Sequence, residues 1–292
     1  MKIGNSSVIV ITGASSGIGR ALALALAERG ARIGLLARRG ELLEEVADDC
    51  RARGGDAAAI VCDVTSRASL ERAVDETVER FGRLDALVNN AGRGHLGYID
   101  DTADEQIESI FRVNVFSLWY GSAAALRHMR AQGSGLIVTI ASIAGKIGYP
   151  GNAAYVAAKH AAVGFSRALR TELAESGIDV MTVIPAGVMT DWAAVAEGGP
   201  MLDLFVYEGE RGRAIAAERG IDLPPALPLL GADEVAASIV GAMEHPVAEH
   251  YTHPGARELA LLAESDPEAF ERSQLPFWLA NREGYRRERR GE

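Results

Sequence analysis

The hydrophobic pattern of the first two thirds of the chain alternates between short apolar runs and longer amphipathic stretches. Runs such as Val8-Ile9-Val10-Ile11 are β-branched and continuous, which is typical of strands buried on both faces. The stretches between them repeat apolar residues at helical spacing. The pattern predicts strands at 8–11, 31–37, 56–61, 86–89, 135–140 and 179–184, and helices at 20–29, 41–53, 66–81, 102–130 and 152–175.

Strands that alternate with helices through short connections predict an α/β fold, a doubly wound parallel sheet with helices on both faces. The long tract at 102–130 is expected to be two helices that meet near Arg112. In such sheets a ligand binds beyond the carboxyl ends of the strands. The glycine-rich turn after the first strand and the polar residues after the later strands all fall at that edge, so one composite site is expected there.

The alternation ends after Asp191. The segment 192–230 contains several glycines and prolines and predicts a substrate loop or lid, or alternatively a mere insertion. A helix at 232–244 and a short strand at 249–252 are expected to follow. We therefore expect one catalytic domain at 1–255 and a C-terminal extension at 256–292, whose arginine-rich end from residue 282 is expected to be solvated and frayed.

Composition excludes several classes of protein. The chain has 292 residues, 48% of them hydrophobic, which is enough for a sizeable core, and its net charge of −10 argues against a nucleic-acid partner. Cys50 and Cys62 are too few for a disulfide framework and are expected to be free thiols in a reducing cytoplasm. The sequence shows no secretory signal, no apolar stretch long enough to span a membrane and no cluster with metal-ligand spacing.

The turn after the first strand runs from Thr12 to Gly19, with glycines at 13, 17 and 19. A strand, a glycine-rich turn and a helix N-terminus together form an anion site, because backbone N–H groups and the helix dipole favour a pyrophosphate. The spacing Gly-x-x-x-Gly-x-Gly differs from the commoner dinucleotide fingerprint. Taken alone, it is also compatible with an ordinary glycine-rich turn.

A second motif is Tyr155-x-x-x-Lys159, with Ser142 upstream. Residues four apart lie on one face of a helix. An ammonium beside a phenol favours the phenolate and is expected to lower the pKa of Tyr155, so that it exchanges a proton with an alcohol or a carbonyl. The alternative is a structural tyrosine with a solvated lysine beside it.

With these motifs in order, the chain resembles the short-chain dehydrogenase/reductase family from residue 7 to about residue 191. Further matches are Asp63, Asn89-Asn90-Ala91-Gly92, Asn114, and the segment from Pro185 to Thr190. The resemblance implies a Rossmann-like fold and hydride transfer between a nicotinamide cofactor and an alcohol or ketone. It also implies the roles of the residues that match.

The resemblance implies that Tyr155 is the general acid/base and that Lys159 lowers its pKa and binds the nicotinamide ribose. Ser142 would orient the substrate oxygen, and Asn114 would hold a water that links Lys159 to solvent. Asp63 would bind the adenine edge, and Val188 and Thr190 would hold the carboxamide. The implied cofactor-binding residues are Gly13, Ser15, Ser16, Gly17, Ile18, Gly19, Arg38, Asp63, Val64, Asn90, Ala91, Gly92, Tyr155, Lys159, Pro185, Val188 and Thr190.

One position departs from the family pattern. The family usually has glycine after the proline, where this chain has Ala186. An alanine there requires a negative φ, and Gly187 is expected to absorb the turn.

The end of the second strand bears on the choice of cofactor. An acidic residue there would bind the adenosine 2′-hydroxyl, but this chain has Ala37 followed by Arg38. A guanidinium suits a phosphate, and Ser15 adds a hydroxyl, so NADP(H) is favoured over NAD(H). The alternative is that Arg38 stacks on the adenine and tolerates either cofactor.

The leading hypothesis is an oxidoreductase that uses NADP(H) and a secondary alcohol or ketone. The Met, Leu, Phe and Trp content of 192–230 indicates an apolar substrate. Two alternatives remain, namely an epimerase or dehydratase with a retained cofactor, and a catalytically silent nucleotide-binding regulator. His95 either touches the substrate or faces solvent.

The tracts 113–130 and 153–175 carry apolar residues on more than one face, so they cannot all face the sheet. A surplus apolar face predicts an interface, and family members pair these helices across a two-fold axis. A homodimer or a homotetramer is therefore expected.

Overall fold

The structure is a computed structural model that describes residues 2–199, 201–223 and 226–290. Its strands are β1 (Val8–Thr12), β2 (Arg32–Ala37), β3 (Asp56–Val61), β4 (Ala86–Asn89), β5 (Gly135–Ile140), β6 (Ile178–Ile184), β7 (Val188–Met189), β8 (Leu230–Gly231) and β9 (Glu249–Tyr251). Its α-helices are α1 (Gly17–Ala27), α2 (Gly40–Ala52), α3 (Arg67–Phe81), α4 (Asp104–Phe111), α5 (Ser117–Gln132), α6 (Ala153–Glu172), α7 (Leu202–Arg219), α8 (Ala232–Glu244), α9 (Ala256–Ser265) and α10 (Pro267–Arg290).

The central sheet has the order β3-β2-β1-β4-β5-β6-β9, and its neighbouring strands run parallel. The strands β2 and β3 lie on one side of β1, and the chain then crosses to β4 on the other side of β1, from which the second half of the sheet continues. The topological switch point therefore lies between β1 and β4, where open α/β sheets bind ligands. The predicted fold class, a Rossmann-like doubly wound parallel sheet, is confirmed.

Each face of the sheet carries its own hydrophobic core. On one face, Leu22 of α1, Leu43 of α2 and Ile239 of α8 pack against Ile9 and its neighbours. The opposite core contains Leu70 and Met129 with Val8 and Val10 of β1. Because successive residues of β1 point to opposite faces and all are apolar up to Ile11, this strand is buried on both sides. That burial fixes the position of the glycine-rich turn at its end.

The tract at 102–130 folds as the sequence predicts, as two helices that meet near Arg112. A π-helical turn, Arg112–Phe116, joins α4 to α5. Such turns insert one extra residue into a helix and frequently occur at functional sites. The extra residue brings Asn114 into the interior, where it is 1% exposed.

The segment 192–230 is more regular than its glycines and prolines predict, because it contains the eighteen-residue helix α7. Pro200, Pro224 and Pro225 lie outside the described residues.

The expectation of a frayed tail from residue 282 is wrong over the described residues, since α10 continues to Arg290. There the Tyr285 ring stacks on Tyr98 at 4.7 Å, and the Arg287 guanidinium lies 5.6 Å from the centre of the Tyr207 ring.

Helices α7 and α10 pack closely because glycines face the contact. A Cβ on Gly284 would lie 2.8 Å from both Leu204 and Tyr207, and one on Gly212 would collide with Phe277. The C-terminal extension therefore packs on the lid segment of its own chain. None of the helices in the described ranges is long and apolar enough to cross a bilayer.

Candidate active site

The glycine-rich turn forms a concave surface, here called the cradle. It is lined by backbone atoms, because its glycines carry no side chains. Gly13 and Gly17 have φ of +67° and +55°, in the region that favours glycine. A Cβ on Gly13 would lie 2.9 Å from the Cα of Ala91, and one on Gly19 would collide with the Gly13 carbonyl and the Asn90 amide. Helix α1 begins at Gly17, so its N-terminal N–H groups face this cradle. The residues present therefore fit a dinucleotide pyrophosphate.

The ends of β1 and β4 are joined by side chains. The Thr12 hydroxyl accepts hydrogen bonds from the N–H groups of Asn90 and Ala91, both at 3.0 Å. The Asn90 amide in turn donates to the carbonyls of Thr12 at 2.9 Å and Gly13 at 3.2 Å. These bonds hold the segment Asn90-Ala91-Gly92 against the glycine-rich turn, where the sequence predicts it.

The basic residues after β2 take different positions. The Arg39 guanidinium donates to the hydroxyls of Ser15 and Ser16, at 2.9 and 2.8 Å. Arg38, the residue predicted to read the 2′-phosphate, is exposed at the end of the strand. Arg39 is therefore a second basic residue at this position, and it already contacts the turn.

Asp63 and Val64 follow β3. The Asp63 carboxylate accepts from the Thr65 N–H at 3.0 Å and from the Thr65 hydroxyl at 2.8 Å, while Val64 is buried. Ile18, in the first turn of α1, packs against the core on that face of the sheet. These bonds fix the carboxylate of Asp63 at the carboxyl edge of the sheet.

Ser142, Tyr155 and Lys159 come together at the ends of β5 and α6. All three are buried. The Lys159 ammonium lies 5.7 Å from the centre of the Tyr155 ring and donates to the Ile140 carbonyl at 3.0 Å. The Ser142 hydroxyl accepts from the Ala144 N–H at 3.1 Å and lies close enough to Tyr155 to affect its pKa. The arrangement places a phenol and a hydroxyl where they can share one substrate oxygen.

The expectation that Lys159 lowers the pKa of Tyr155 is wrong for the protein by itself. Burial raises the pKa of the Tyr155 phenol to about 12, although its hydrogen bond with Ser142 opposes this change. Burial also lowers the pKa of the Lys159 ammonium to about 8. Desolvation disfavours the charged form of each group.

Asn114 and Lys159 both lie close to Gly92. Its amide donates to the carbonyls of Arg93 at 2.9 Å and Ile110 at 3.0 Å. A Cβ on Gly92 would lie 3.1 Å from the Asn114 carbonyl oxygen and 3.5 Å from the Lys159 ammonium. The π-helical turn thus brings Asn114 to the same narrow space as Lys159, as the resemblance implies.

The segment after β6 is held by a residue that the sequence analysis missed. His253 Nδ1 accepts from the Ala186 N–H at 3.2 Å, and its Nε2 lies 2.8 Å from the Gly187 carbonyl. Neither Ala186 nor Gly187 has a positive φ, so alanine follows Pro185 without strain. The sequence signal was weak, because His253 lies beyond the motifs that carry the family resemblance.

The segment after β6 also contacts the glycine-rich turn, through Thr190. A Cβ on Gly17 would lie 3.3 Å from Thr190 Cγ2, and Val188 pairs with Leu230 in the short sheet formed by β7 and β8. Thr190 therefore lies beside the glycine-rich turn, and Val188 precedes it by two residues in the short sheet.

The segment 192–230 packs on Tyr155 through Trp192. The Trp192 ring lies 5.1 Å from the Tyr155 ring and also rests on Gly94. Leu96, Met201 and Leu204 form a small apolar cluster beside it. His95 is fully buried beneath the lid, so the solvent-facing alternative is wrong. Among the described residues its Nδ1 has no hydrogen-bond partner.

A polar chain links the lid to the C-terminal extension, and the sequence analysis missed it too. The Tyr98 hydroxyl donates to the side-chain oxygen Oδ1 of Asn281 at 2.9 Å. The side-chain amide Nδ2 of Asn281 donates to the Glu208 carboxylate at 2.9 Å. Burial raises the pKa of Glu208 to about 7, although the bond from Asn281 opposes this change. The residues of this chain lie far apart in sequence and show no motif.

Comparisons with known proteins identify the family. The model of the short chain dehydrogenase family matches residues 7–198, more than half of the chain. The chain belongs to the short-chain dehydrogenase family. It is 31% identical over 268 residues to the uncharacterized oxidoreductase YxnA of Bacillus subtilis, covering 91% of this chain and 70% of that protein. It is also 40% identical over 196 residues to a putative ketoacyl reductase of Streptomyces coelicolor, covering 66% and 75% of the two chains.

Solved structures of short-chain dehydrogenases share the fold. A short-chain dehydrogenase/reductase of Burkholderia phymatum in complex with NAD has a TM-score of 0.78 at 28% identity, covering 92% of this chain and 96% of that one. An alcohol dehydrogenase of Thermococcus sibiricus complexed with 5-hydroxy-NADP has a TM-score of 0.69 at 27% identity, covering 84% and 94%. This family of nucleotide-binding oxidoreductases thus includes complexes with both kinds of cofactor.

The half-buried Glu208 predicts a pH-dependent stability. A carboxyl group whose pKa rises from an unfolded value near 4.5 to about 7 stabilises the fold below pH 4.5, and this stabilisation is lost as the pH rises through 7. A tenfold change in proton affinity corresponds to about 1.4 kcal/mol. Glu208→Gln keeps an acceptor for Asn281 without the charge. Its free energy of unfolding should therefore fall less than that of the wild type between pH 4.5 and 8.

Denaturant unfolding at several pH values measures this difference. Glu210→Gln, which alters an exposed residue of the same helix, is the matched control and should follow the wild type. Parallel pH curves for Glu208→Gln and the wild type would contradict the assignment.

Proposed function

We propose that the protein transfers a hydride between NADP(H) and a secondary alcohol or ketone, with Tyr155 as general acid/base. The observation that carries the proposal is the buried arrangement of Tyr155, Ser142 and Lys159 beside the dinucleotide cradle. Alcohol–ketone exchange needs a proton donor and an oxyanion ligand on the same oxygen, and the Tyr155 and Ser142 hydroxyls are these groups.

In the reduction, a nicotinamide cofactor bound in the cradle would be the source of the hydride that adds to the carbonyl carbon. Tyr155 Oη gives its proton to the carbonyl oxygen as the C=O double bond becomes a C–O single bond, and Ser142 Oγ donates a hydrogen bond to the same oxygen. In the oxidation, Tyr155 takes the proton back. Lys159 would hold the nicotinamide ribose, and Asn114 would connect Lys159 to the proton supply through a water.

NADP(H) is preferred over NAD(H) in this proposal. The strand β2 ends in Ala37 and is followed by Arg38 and Arg39, without the acidic residue that would bind a ribose 2′-hydroxyl. The Arg39 guanidinium and the Ser15 hydroxyl, already paired at 2.9 Å, are both suited to a phosphate. Arg39 therefore joins Arg38 as a candidate to read the 2′-phosphate.

The intact triad of Ser142, Tyr155 and Lys159 disfavours an epimerase, a dehydratase or a silent regulator. The apolar side chains above Tyr155 favour an apolar substrate over a nucleic acid. Cys50 and Cys62 are buried free thiols, which favours the cytoplasm. We also propose that residues 1–255 form one catalytic domain and 256–292 an extension of it.

The assembly we propose is a homodimer, or a tetramer of two such dimers, formed through α5 and α6. Phe116 and Trp119 are 44% and 60% exposed, and the Trp119 ring lies 5.5 Å from Phe165 on α6. Leu118, Val163 and Leu169 are buried instead. The exposed aromatic side chains thus form a patch that spans both helices, as expected of an interface.

Tyr155→Phe should lower kcat by at least about 100-fold, because it removes only the proton donor. The affinity for NADPH, measured by fluorescence titration, should change little. Tyr120→Phe, on the outer helix α5, is the matched control. Retention of most of the wild-type rate by Tyr155→Phe would show that another group exchanges the proton.

Arg39→Ala should raise KM for NADPH by about ten-fold or more while KM for NADH changes little, because charge-assisted bonds to the phosphate are lost. Arg38→Ala is the paired variant. A selective effect of Arg38→Ala alone would assign the phosphate to Arg38. Equal effects of each variant on both cofactors would refute the preference for NADP(H).

Trp119→Glu should convert the oligomer to monomers, because the interface would bury an unpaired charge. Sedimentation velocity at micromolar concentration measures the outcome. Val206→Glu, which changes an exposed apolar residue on α7, is the control and should leave the assembly intact. A monomeric wild type would overturn the proposed assembly.

A further inference from the structure

The turn that carries Ser142 is a hydrogen-bonded unit that ends at Lys146. The Ser142 hydroxyl accepts from the Ala144 N–H at 3.1 Å, and its carbonyl accepts from the Gly145 N–H at 2.9 Å. The Lys146 N–H then donates to the Ile143 carbonyl at 2.8 Å. Because these bonds overlap along the turn, a displacement of Lys146 also displaces Ser142.

The Lys146 side chain is fixed by a carboxylate from outside the turn. Its ammonium donates to Glu249 Oε1 at 2.7 Å, and only 9% of the side chain is exposed. Glu249 lies in β9, the last strand of the central sheet, which pairs with β6. The ion pair therefore ties the end of the Ser142 turn to the sheet.

The Glu249 carboxylate is also held from two other directions. Its Oε1 accepts from Nε and Nη2 of Arg167 on α6, at 3.0 and 2.8 Å, and its Oε2 accepts from the Tyr251 hydroxyl at 3.1 Å. Burial acts to raise the pKa of Glu249, but the bonds from Lys146 and Arg167 together outweigh burial and keep this pKa below its ordinary value. The carboxylate is therefore charged at neutral pH, and its position does not depend on Lys146 alone.

We propose that Glu249 is a positioning residue of the reaction, which holds the Ser142 hydroxyl in place by fixing Lys146 at the far end of the turn. The inference rests on the proposed function, in which this hydroxyl donates to the substrate oxygen. A displacement of about 1 Å in a group that contacts the reacting atoms can cost about 100-fold in rate. The contact between Glu249 and Lys146 therefore acts on the chemical step, although neither side chain touches the substrate.

Lys146→Met removes the ammonium but keeps the apolar stem, and it leaves Glu249 bonded to Arg167 and Tyr251. With NADPH present, it should lower kcat for the reduction of acetophenone by about ten-fold, because the Ser142 hydroxyl is no longer held in place. The dissociation constant of NADPH, measured by fluorescence titration, should stay within about two-fold of the wild type, because the turn is displaced and the cradle is not.

Arg167→Met is the matched control. It removes a cation from the same oxygen, Glu249 Oε1, but Arg167 is exposed and lies outside the turn. This variant should keep kcat within about two-fold of the wild type. Glu249→Gln should lower kcat at least as much as Lys146→Met, because the buried ammonium loses its counter-charge. Equal losses of kcat in Lys146→Met and Arg167→Met would overturn the assignment, and this pair decides the question even where Glu249→Gln does not fold.

A double-mutant cycle shows whether the effect passes through Ser142. In a Ser142→Ala background, whose remaining rate is measured at high enzyme concentration, Lys146→Met should change kcat by less than about two-fold. The same ten-fold loss in both backgrounds would overturn the assignment, because the effect would then bypass the serine.

Hydrogen exchange of the backbone amides separates this inference from the proposed function. The amides of residues 142–147 should exchange faster in Lys146→Met than in the wild type, and Arg167→Met should leave their exchange unchanged. If acetophenone, 2-octanone and cyclohexanone are all left unreduced but this difference appears, the proposed function fails and Glu249 still holds the turn. Unchanged exchange in Lys146→Met, or faster exchange with an unchanged kcat, would overturn the assignment.

Discussion

The site depends on the close approach of the backbone at the ends of β1 and β4. Thr12 accepts two N–H groups from the Asn90-Ala91 segment, and Asn90 returns two bonds to the turn. This approach is possible only because Gly13 and Gly19 lack side chains. Both strands are buried, so the bonds form in a region of low dielectric, where an unpaired group would cost the most. The cradle is therefore rigid before any ligand binds.

A second constraint is the burial of ionisable groups around that rigid frame. Lys159 is held between the Ile140 carbonyl and the Tyr155 ring, so its position is set by β5 as well as by α6. Desolvation raises the pKa of Tyr155 and lowers that of Lys159, because burial disfavours the charged form of each group. A further positive charge or hydrogen-bond donor near the Tyr155 oxygen would therefore favour the phenolate.

Much of the frame could be predicted from the sequence, because its signals are local. The strands at 56–61, 86–89 and 135–140 have the predicted bounds, since each is an apolar run that ends at a polar or turn residue. The junction near Arg112 was also predictable. Its conformation was not, because a π-helical turn depends on packing around Asn114 rather than on helix propensity.

Contacts between distant segments could not be predicted. Which arginine after β2 turns toward the cradle depends on side-chain direction at a strand end, where pairing no longer fixes it. The bond from His253 to the segment after β6 and the chain Tyr98–Asn281–Glu208 join residues without a shared periodicity. The helix α7 was missed because glycines and prolines weigh against a helix locally. Packing on α10 decides its conformation instead.

The packing of α7 on α10 makes the lid and the extension one structural unit. Glycines at positions 212 and 284 bring the two helices together, and Asn281 bonds to both Glu208 of α7 and Tyr98 of the loop after β4. Separation of α7 from α10 would remove the hydrogen bond that the Glu208 carboxyl accepts from Asn281. A hydrogen bond to a charged group contributes about 1.5–3 kcal/mol. We therefore expect the two helices to move together.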